Sequence, residues 1–440
     1  MVRLASLAFG CGSALAAAAA TGPAAPAATI TVPLRKNHSG LAAAFSPSLA
    51  ARLAAATAIA TAANATTGAL GADPIPAGGN VWPVAIYWVE VQVGSPPVSH
   101  PAAVDSGSST LDIGAVGCAG CSVAAPNVPY DTRASSAAAP VAPYTFSNTY
   151  ETCDLASPTA PCTIKGKLYA DAVSLGGAGP VTVHVGAIDS QTTNFDQFNH
   201  VCGVMGFAGT GPGTVIAQLV AAGHVASDGF GLCLNEAAHK SNGTLTLGAP
   251  DARLYTGDLA YVPQDTSGGY GGLYQMPLRG ITLNGTALAV ENKVAILDSG
   301  TNVLLLPTPA FSSLRRAMTD FCAAPGGAQL HGVCDVPAGA TFFDGVCFAM
   351  TTAQLAAFPP LALEVQGASL KMGARNYFKR GAVGSGATAP DQYCLAVRDT
   401  GANGFLIIGD TTMENYYVHF DRANKQIGWA AVNEKNCGEL

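Results

Sequence analysis

The chain has 440 residues, enough for two or three domains and a full core. Its 49% hydrophobic content excludes a disordered tail protein, and its 11% charged residues are less than half the usual share of a soluble chain. A formal net charge of −7 without a long basic run argues against a nucleic-acid partner. Twelve cysteines among so few charges point to an oxidising compartment, and 51 glycines with 28 prolines favour short strands and turns over long helices.

Arg3 precedes an uncharged, alanine-rich run from Leu4 to Ala20 that ends in Thr21-Gly22-Pro23. This is the layout of a secretory signal peptide over residues 1–22. The run is too weakly apolar to favour a membrane anchor. An organelle transit peptide remains the other reading, because residues 1–72 contain no Asp or Glu. No later stretch is apolar enough to span a membrane. Residues 23–80 are of low complexity and carry two sequons, at Asn37 and Asn64. Residues 1–72 hold four basic side chains (Arg3, Arg35, Lys36, Arg52), which leaves a formal balance of −11 for the rest of the chain. A basic segment beside an acidic body is expected to act as a propeptide lying across an acidic cleft, released as carboxylates protonate; the alternative is a plain spacer. The folded body begins near residue 81. Alternating residues from Val84 to Val93, closed by Gly94-Ser95-Pro96-Pro97, predict a strand and a turn.

A short motif then occurs twice. Val104-Asp105-Ser106-Gly107-Ser108 ends one apolar stretch and Leu297-Asp298-Ser299-Gly300-Thr301 ends another. Each is followed by two bulky residues and a glycine, Val204-Met205-Gly206 and Ile407-Ile408-Gly409. One Asp-Ser-Gly is an ordinary turn composition, but two copies with matching followers imply an internal duplication. Two carboxylates brought together about a pseudo-twofold axis cannot both ionise, so they share a proton and their pKa values separate. One can then activate a water while the other polarises a carbonyl. Ser106 and Ser299 can exchange hydrogen bonds across the axis, and Ser108 and Thr301 are placed to bond the outer carboxylate oxygens. A serine-protease reading of Asp-Ser-Gly leaves the duplication unexplained.

The chain from about residue 80 to 437 resembles the pepsin-like aspartic endopeptidases. Besides the two motifs, the resemblance rests on Phe405-Leu406-Ile407-Ile408-Gly409-Asp410, on Tyr416 to Asn424, and on Ile427-Gly428-Trp429-Ala430. It implies an all-β, bilobal acid protease fold with the active-site cleft between two related lobes, 81–255 holding Asp105 and 256–440 holding Asp298. The lobes are expected to meet near residues 250–272. It further implies a monomeric, secreted or vacuolar enzyme that acts on polypeptides and needs no cofactor or metal. Asp105 and Asp298 are then the catalytic pair, supported by Ser106, Ser108, Ser299 and Thr301. Thr31 to Lys36 resembles the opening of the family's propeptides.

Three positions depart from the family pattern. Asp112 stands where a Trp often supports the flap tyrosine, Glu151 replaces a glycine, and Asn302 replaces a small hydroxyl residue. Tyr150 is the flap-tyrosine candidate, followed by an insert holding Cys153 and Cys162. Cys118-Ala119-Gly120-Cys121 could be a redox or half-zinc motif, but no second pair or nearby His completes a metal site. The resemblance instead implies disulfides Cys118–Cys121 and Cys347–Cys394. Cys153–Cys162 and Cys322–Cys334 are expected as local closures, and the pairing of Cys202, Cys233 and Cys437 stays open. Asn242 and Asn284 head two further sequons, and Asn284-Gly285 also reads as a hairpin turn.

Overall fold

The structure is a computed structural model describing residues 30–36, 79–80, 86–121, 128–150, 162–192, 201–235, 241–266, 272–324, 329–380, 392–402 and 404–438. The expected signal peptide, most of the segment before residue 81 and Cys153 lie outside the described residues.

The first sheet opens with β1 (Ile30–Lys36), β2 (Gly79–Asn80), β3 (Ile86–Val93), β4 (Val98–Asp105) and β5 (Leu111–Ala119). The hairpin strands β6 (Ala139–Tyr150) and β7 (Cys162–Leu175) follow, then β8 (Ala178–Gln191) and β9 (Gly203–Gly206). Helix α1 (Val215–Ala221) leads to β10 (Gly229–Asn235), β11 (Ser241–Leu247) and β12 (Tyr255–Pro263). The second sheet is built from β13 (Tyr274–Leu283), β14 (Thr286–Ala287), β15 (Val294–Leu297) and β16 (Leu304–Leu306), followed by helix α2 (Thr308–Ala323). After β17 (Phe348–Ala349) come β18 (Leu361–Val365), β19 (Ala368–Met372), β20 (Phe378–Arg380), β21 (Gln392–Leu395), β22 (Val397–Asp399) and β23 (Ile407–Ile408). Helix α3 (Asp410–Met413), β24 (Tyr416–Asp421) and β25 (Gln426–Val432) end the chain's regular structure.

The protein is bilobal and mostly β. Alternation sets the faces: in β3, Val89, Val91 and Val93 are buried while Glu90 and Gln92 are half-exposed. Helix α2 buries Ala310, Leu314 and Met318, one face at a spacing of four, and carries Pro309 in its first turn, where no helical donor is lost. One apolar core runs through both lobes, from Val89 and Leu111 to Leu297 and Ile408.

The duplication is visible in the strand order. In the first lobe β4, β9, β5 and β8 lie side by side, and in the second β15, β23, β16 and β22 do the same. In each set the first pairing is parallel (β4 with β9, β15 with β23), the second antiparallel and the third parallel. The bulky-bulky-Gly segments are the strands β9 and β23. Each therefore lies beside the strand that delivers an aspartate, with Asp105 opposite Gly206 and Leu297 opposite Ile408.

β24 and β25 return to the first sheet, where β24 pairs with β10 and β25 with β12. That sheet is thus continuous across the expected lobe boundary at residues 255/256. β13 and β14 are joined by Asn284 and Gly285 with φ of 49° and 79°, the left-handed pair that a two-residue hairpin turn requires. Disulfides link Cys118 to Cys121, Cys322 to Cys334, Cys347 to Cys394 and Cys233 to Cys437, and Cys202 keeps a free thiol. Cys162 is also disulfide-bonded.

Candidate active site

Both Asp turns sit at strand ends, where the chain leaves a buried parallel pair and its polar groups need new partners. They find them across the pseudo-twofold axis. The Ser106 amide donates to Ser299 Oγ (3.0 Å) and the Ser299 amide donates to Ser106 Oγ (2.9 Å). Each hydroxyl then donates onward into the opposite lobe, Ser299 Oγ to the Val104 carbonyl (2.8 Å) and Ser106 Oγ to the Leu297 carbonyl (3.2 Å). Ser106 and Ser299 are buried, so these four bonds act out of competition with bulk solvent.

Within each turn the glycine amide donates to the aspartate, Gly107 N to Asp105 Oδ1 (2.7 Å) and Gly300 N to Asp298 Oδ1 (2.8 Å). A side chain at either glycine would displace a carboxylate of the candidate site. A β-carbon on Gly107 would lie 2.6 Å from Asp298 Oδ1, and one on Gly300 would lie 2.6 Å from Asp105 Oδ1. The same two contacts show how closely the turns face one another, each glycine lying against the other lobe's carboxylate.

The hydroxyl support differs between lobes. Thr301 Oγ1 donates to Asp298 Oδ2 at 2.6 Å. Ser108, in the matching place, lies close enough to act on both Asp105 and Tyr150. It closes no hydrogen bond of ordinary geometry among the described residues. Asp105 and Asp298 are both buried, at 5% and 9% exposure. Burial first, and then the adjacent Asp298 carboxylate, raise Asp105 far above the usual carboxylate range, against the opposing pull of Ser108 and the Gly107 amide. A proton is thereby retained between the two groups.

Tyr150 ends β6 opposite Cys162 on β7 and packs with Cys162, Ile164 and Ile188. Its hydroxyl lies among Ser108, Thr110, Asp112 and Asp105, and burial followed by the two carboxylates drives its pKa well up. Asp112 is buried on β5 and accepts from Thr110 Oγ1 (2.7 Å) and Asn148 Nδ2 (2.9 Å). Asn302 is buried as well, and its carbonyl accepts from Thr411 Oγ1 at 2.7 Å, tying the second Asp turn to α3. Among the described residues no cluster of His, Cys, Asp or Glu could hold a metal ion.

Two supports were not evident from the sequence as site residues. Arg422, after β24, donates to Asp228 (2.6 Å) and to the carbonyls of Phe207 (2.6 Å) and Gly209 (2.7 Å), just beyond the Val204-Met205-Gly206 strand. Lys379 pairs with Glu414 in a buried contact, and Glu414 also accepts from Tyr87 Oη at 2.8 Å. Neither has a local signal, because its partners lie far away in the chain.

Comparison with known proteins agrees with this geometry. The model of the eukaryotic aspartyl protease family matches residues 86–432. Pepsin-2B of Gadus morhua is 25% identical over 350 residues, covering 78% of this chain and 95% of the relative's length. Pepsin-3 of Oryctolagus cuniculus is 25% identical over 359 residues, covering 79% and 81%, and pepsin A of Suncus murinus is 24% identical over 357 residues, with the same coverage. With paired Asp turns on duplicated strands and a family match over most of its length, this chain belongs to the eukaryotic aspartyl proteases.

Proposed function

We propose that the protein is an aspartic endopeptidase acting at acid pH, with Asp105 and Asp298 as its catalytic pair. The observation that carries this reading is the mutual approach of the two Asp turns, each glycine within contact of the opposite carboxylate. In the pair that shares one proton, the carboxylate takes a proton from a water, and the water oxygen attacks the scissile carbonyl carbon. The protonated partner donates to the carbonyl oxygen. Breakdown of the tetrahedral intermediate delivers a proton to the departing amide nitrogen and leaves a carboxylic acid and an amine. Burial and the neighbouring Asp298 carboxylate both raise the proton affinity of Asp105, which favours the singly protonated pair that this chemistry needs.

Ser106 and Ser299 fix the relative position of the lobes, and Thr301 and the two glycine amides orient the carboxylates. Such fixed geometry is worth orders of magnitude in rate because no reorganisation is needed during reaction. Substrates are polypeptides, and the signal-like leader and disulfides support a secretory route to the cell exterior or an acidic vacuole. Residues 23–80 fit a propeptide.

The test is cleavage of a denatured protein near pH 4 by the full chain, before and after exposure to acid, with and without a statine-type inhibitor. Inhibitable cleavage is expected, with complete loss in Asp105→Asn and in Asp298→Asn while both remain folded. Inhibitor binding without cleavage would favour a binding protein of the same fold, a reading that Asp112 in place of Trp makes worth testing. Either mutant cutting at the wild-type rate would overturn the paired mechanism.

A further inference from the structure

We propose that Glu414 is a positioning residue for the catalytic pair. By accepting from Tyr87 it ties the strand beside Asp105 to the helix that braces the Asp298 turn, with Lys379 as its counter-charge. The proposal rests on the aspartic-endopeptidase reading above.

The contacts run from one Asp turn to the other. β3 pairs with β4 with Trp88 opposite Ala103, so Tyr87 stands level with Val104, the residue before Asp105. Tyr87 Oη donates to Glu414 Oε1 at 2.8 Å. Glu414 closes α3, its amide donating to the Asp410 carbonyl at 2.8 Å. The start of α3 is fastened to the second Asp turn. There the Asp410 amide donates to the Thr301 carbonyl (2.9 Å) and Thr411 Oγ1 to the Asn302 carbonyl (2.7 Å). Glu414 Oε2 accepts from Lys379 Nζ on β20, where Lys379 lies opposite Cys394 of the Cys347–Cys394 disulfide. Tyr87, Lys379 and Glu414 are all buried.

Two arguments give these contacts a part in catalysis. The Ser106 and Ser299 bonds all meet at the pseudo-twofold axis, and links gathered at one axis resist rocking of the lobes poorly. The Tyr87–Glu414 bond starts from the neighbouring strand, about 5 Å to one side of the Asp105 strand, and opposes that rocking. The second argument is energetic. A buried ion pair is a poor stabiliser, and well-packed apolar side chains of similar volume hold a fold as well or better. Met and Leu at positions 379 and 414 would therefore keep the fold, yet neither offers Tyr87 an oxygen. What the ion pair supplies beyond stability is a fixed acceptor, and with it a fixed relation between the two Asp turns. A misplacement of about 1 Å in such a site costs about 100-fold in rate.

The experiment measures kcat and KM at pH 4 on one peptide substrate for three variants, and their urea unfolding in the Asp298→Asn background. Lys379→Met with Glu414→Leu should unfold near the wild-type urea midpoint but lose at least about tenfold in kcat, with KM within about twofold. Lys379→Met with Glu414→Gln keeps an acceptor for Tyr87 but buries an amide against an apolar side chain. It should be the less stable double variant and yet recover kcat to within about threefold of wild type. Tyr87→Phe removes one oxygen and keeps the ring, and should lose kcat as the apolar pair does. A purely structural role gives the opposite order, with kcat following stability. Wild-type kcat in the apolar pair or in Tyr87→Phe, or no recovery with Gln, would overturn the proposal. If neither double variant folds, Tyr87→Phe decides the matter. A wild type that cuts nothing at any pH would refute the peptidase reading. Positioning is then read from the amide proton shifts of Gly107 and Gly300, which should move in Tyr87→Phe and in the apolar pair and return with Gln. Shifts that stay in place would overturn the positioning role as well.

Discussion

The buried Asp112 makes a quantitative demand on stability. Its carboxyl has a pKa of about 6 in the folded protein and the ordinary 3.8 once the chain unfolds. Between those values the folded state binds more protons than the unfolded state. Stability from this group is therefore complete below about pH 4 and is lost as pH rises through 6. A difference of about two pKa units corresponds to about 3 kcal/mol, a large part of a typical folding free energy. Asp105 acts with the same sign, since its proton affinity is also raised by folding. The perturbation that isolates Asp112 is Asp112→Asn, measured by urea unfolding at pH 4 and pH 7. Both proteins should carry Asp298→Asn so that neither digests itself. At pH 4 the two should unfold at similar urea concentrations. At pH 7 the variant should be more stable by about 3 kcal/mol, because it no longer strands a charge in the core. A stability difference that is the same at both pH values would refute the reasoning, and with it the view of Asp112 as an acid kept neutral by burial.

Gly300→Ala should fold but lower kcat at least about 100-fold, since its β-carbon displaces Asp105 from the geometry on which the pair depends; unchanged single-turnover kinetics would contradict this. Lys379→Met should cost about 3–5 kcal/mol in denaturant unfolding by leaving Glu414 buried without its cation, and adding Glu414→Leu should recover most of that loss. Among the described cysteines, only Cys202 should be alkylated when the unreduced protein is unfolded, and peptide mapping should return Cys233 joined to Cys437.

Legibility in the sequence followed the range of the interaction. The Asp turns could be read because each is a contiguous stretch whose chemistry is local: an acid, a hydroxyl and a glycine whose amide bonds the acid. The strands behind them could be read because the duplication repeats them, even though β4 and β9 are far apart in the chain. The Asn284-Gly285 turn carried its own backbone signature. Cys233–Cys437 spans 204 residues and could not be told from other pairings, since spacing says nothing of proximity at that range. Asp112 was visible as a departure from the family pattern, but not its partner Asn148, which meets it only because β6 folds over β5. The return of β24 and β25 to the first sheet was likewise hidden: an alternating strand states which face it buries, not which edge it joins.

That sheet also alters the physical account of the N-terminal segment. Charge alone suggested a basic peptide lying across an acidic cleft and leaving as carboxylates protonate. Ile30–Lys36 is instead a strand within the sheet, paired residue for residue with Ser241–Leu247 and touching β3 at Trp88 through Arg35. Ladder hydrogen bonds join backbone amides to carbonyls, and neither titrates in the acid range. Lowering the pH can weaken an attraction between Arg35 or Lys36 and the acidic body, yet it leaves the ladder in place. Charge is therefore suited to guiding the segment to the body, and the backbone to holding it there. Removing β1 would open one edge on β11 and another on β3, and unpaired edges are costly when buried and adhesive when exposed. If the chain is processed so that residues 30–36 are lost, those two edges would need another strand or a cover, and that replacement would be under a different physical control from any acid-triggered cleavage.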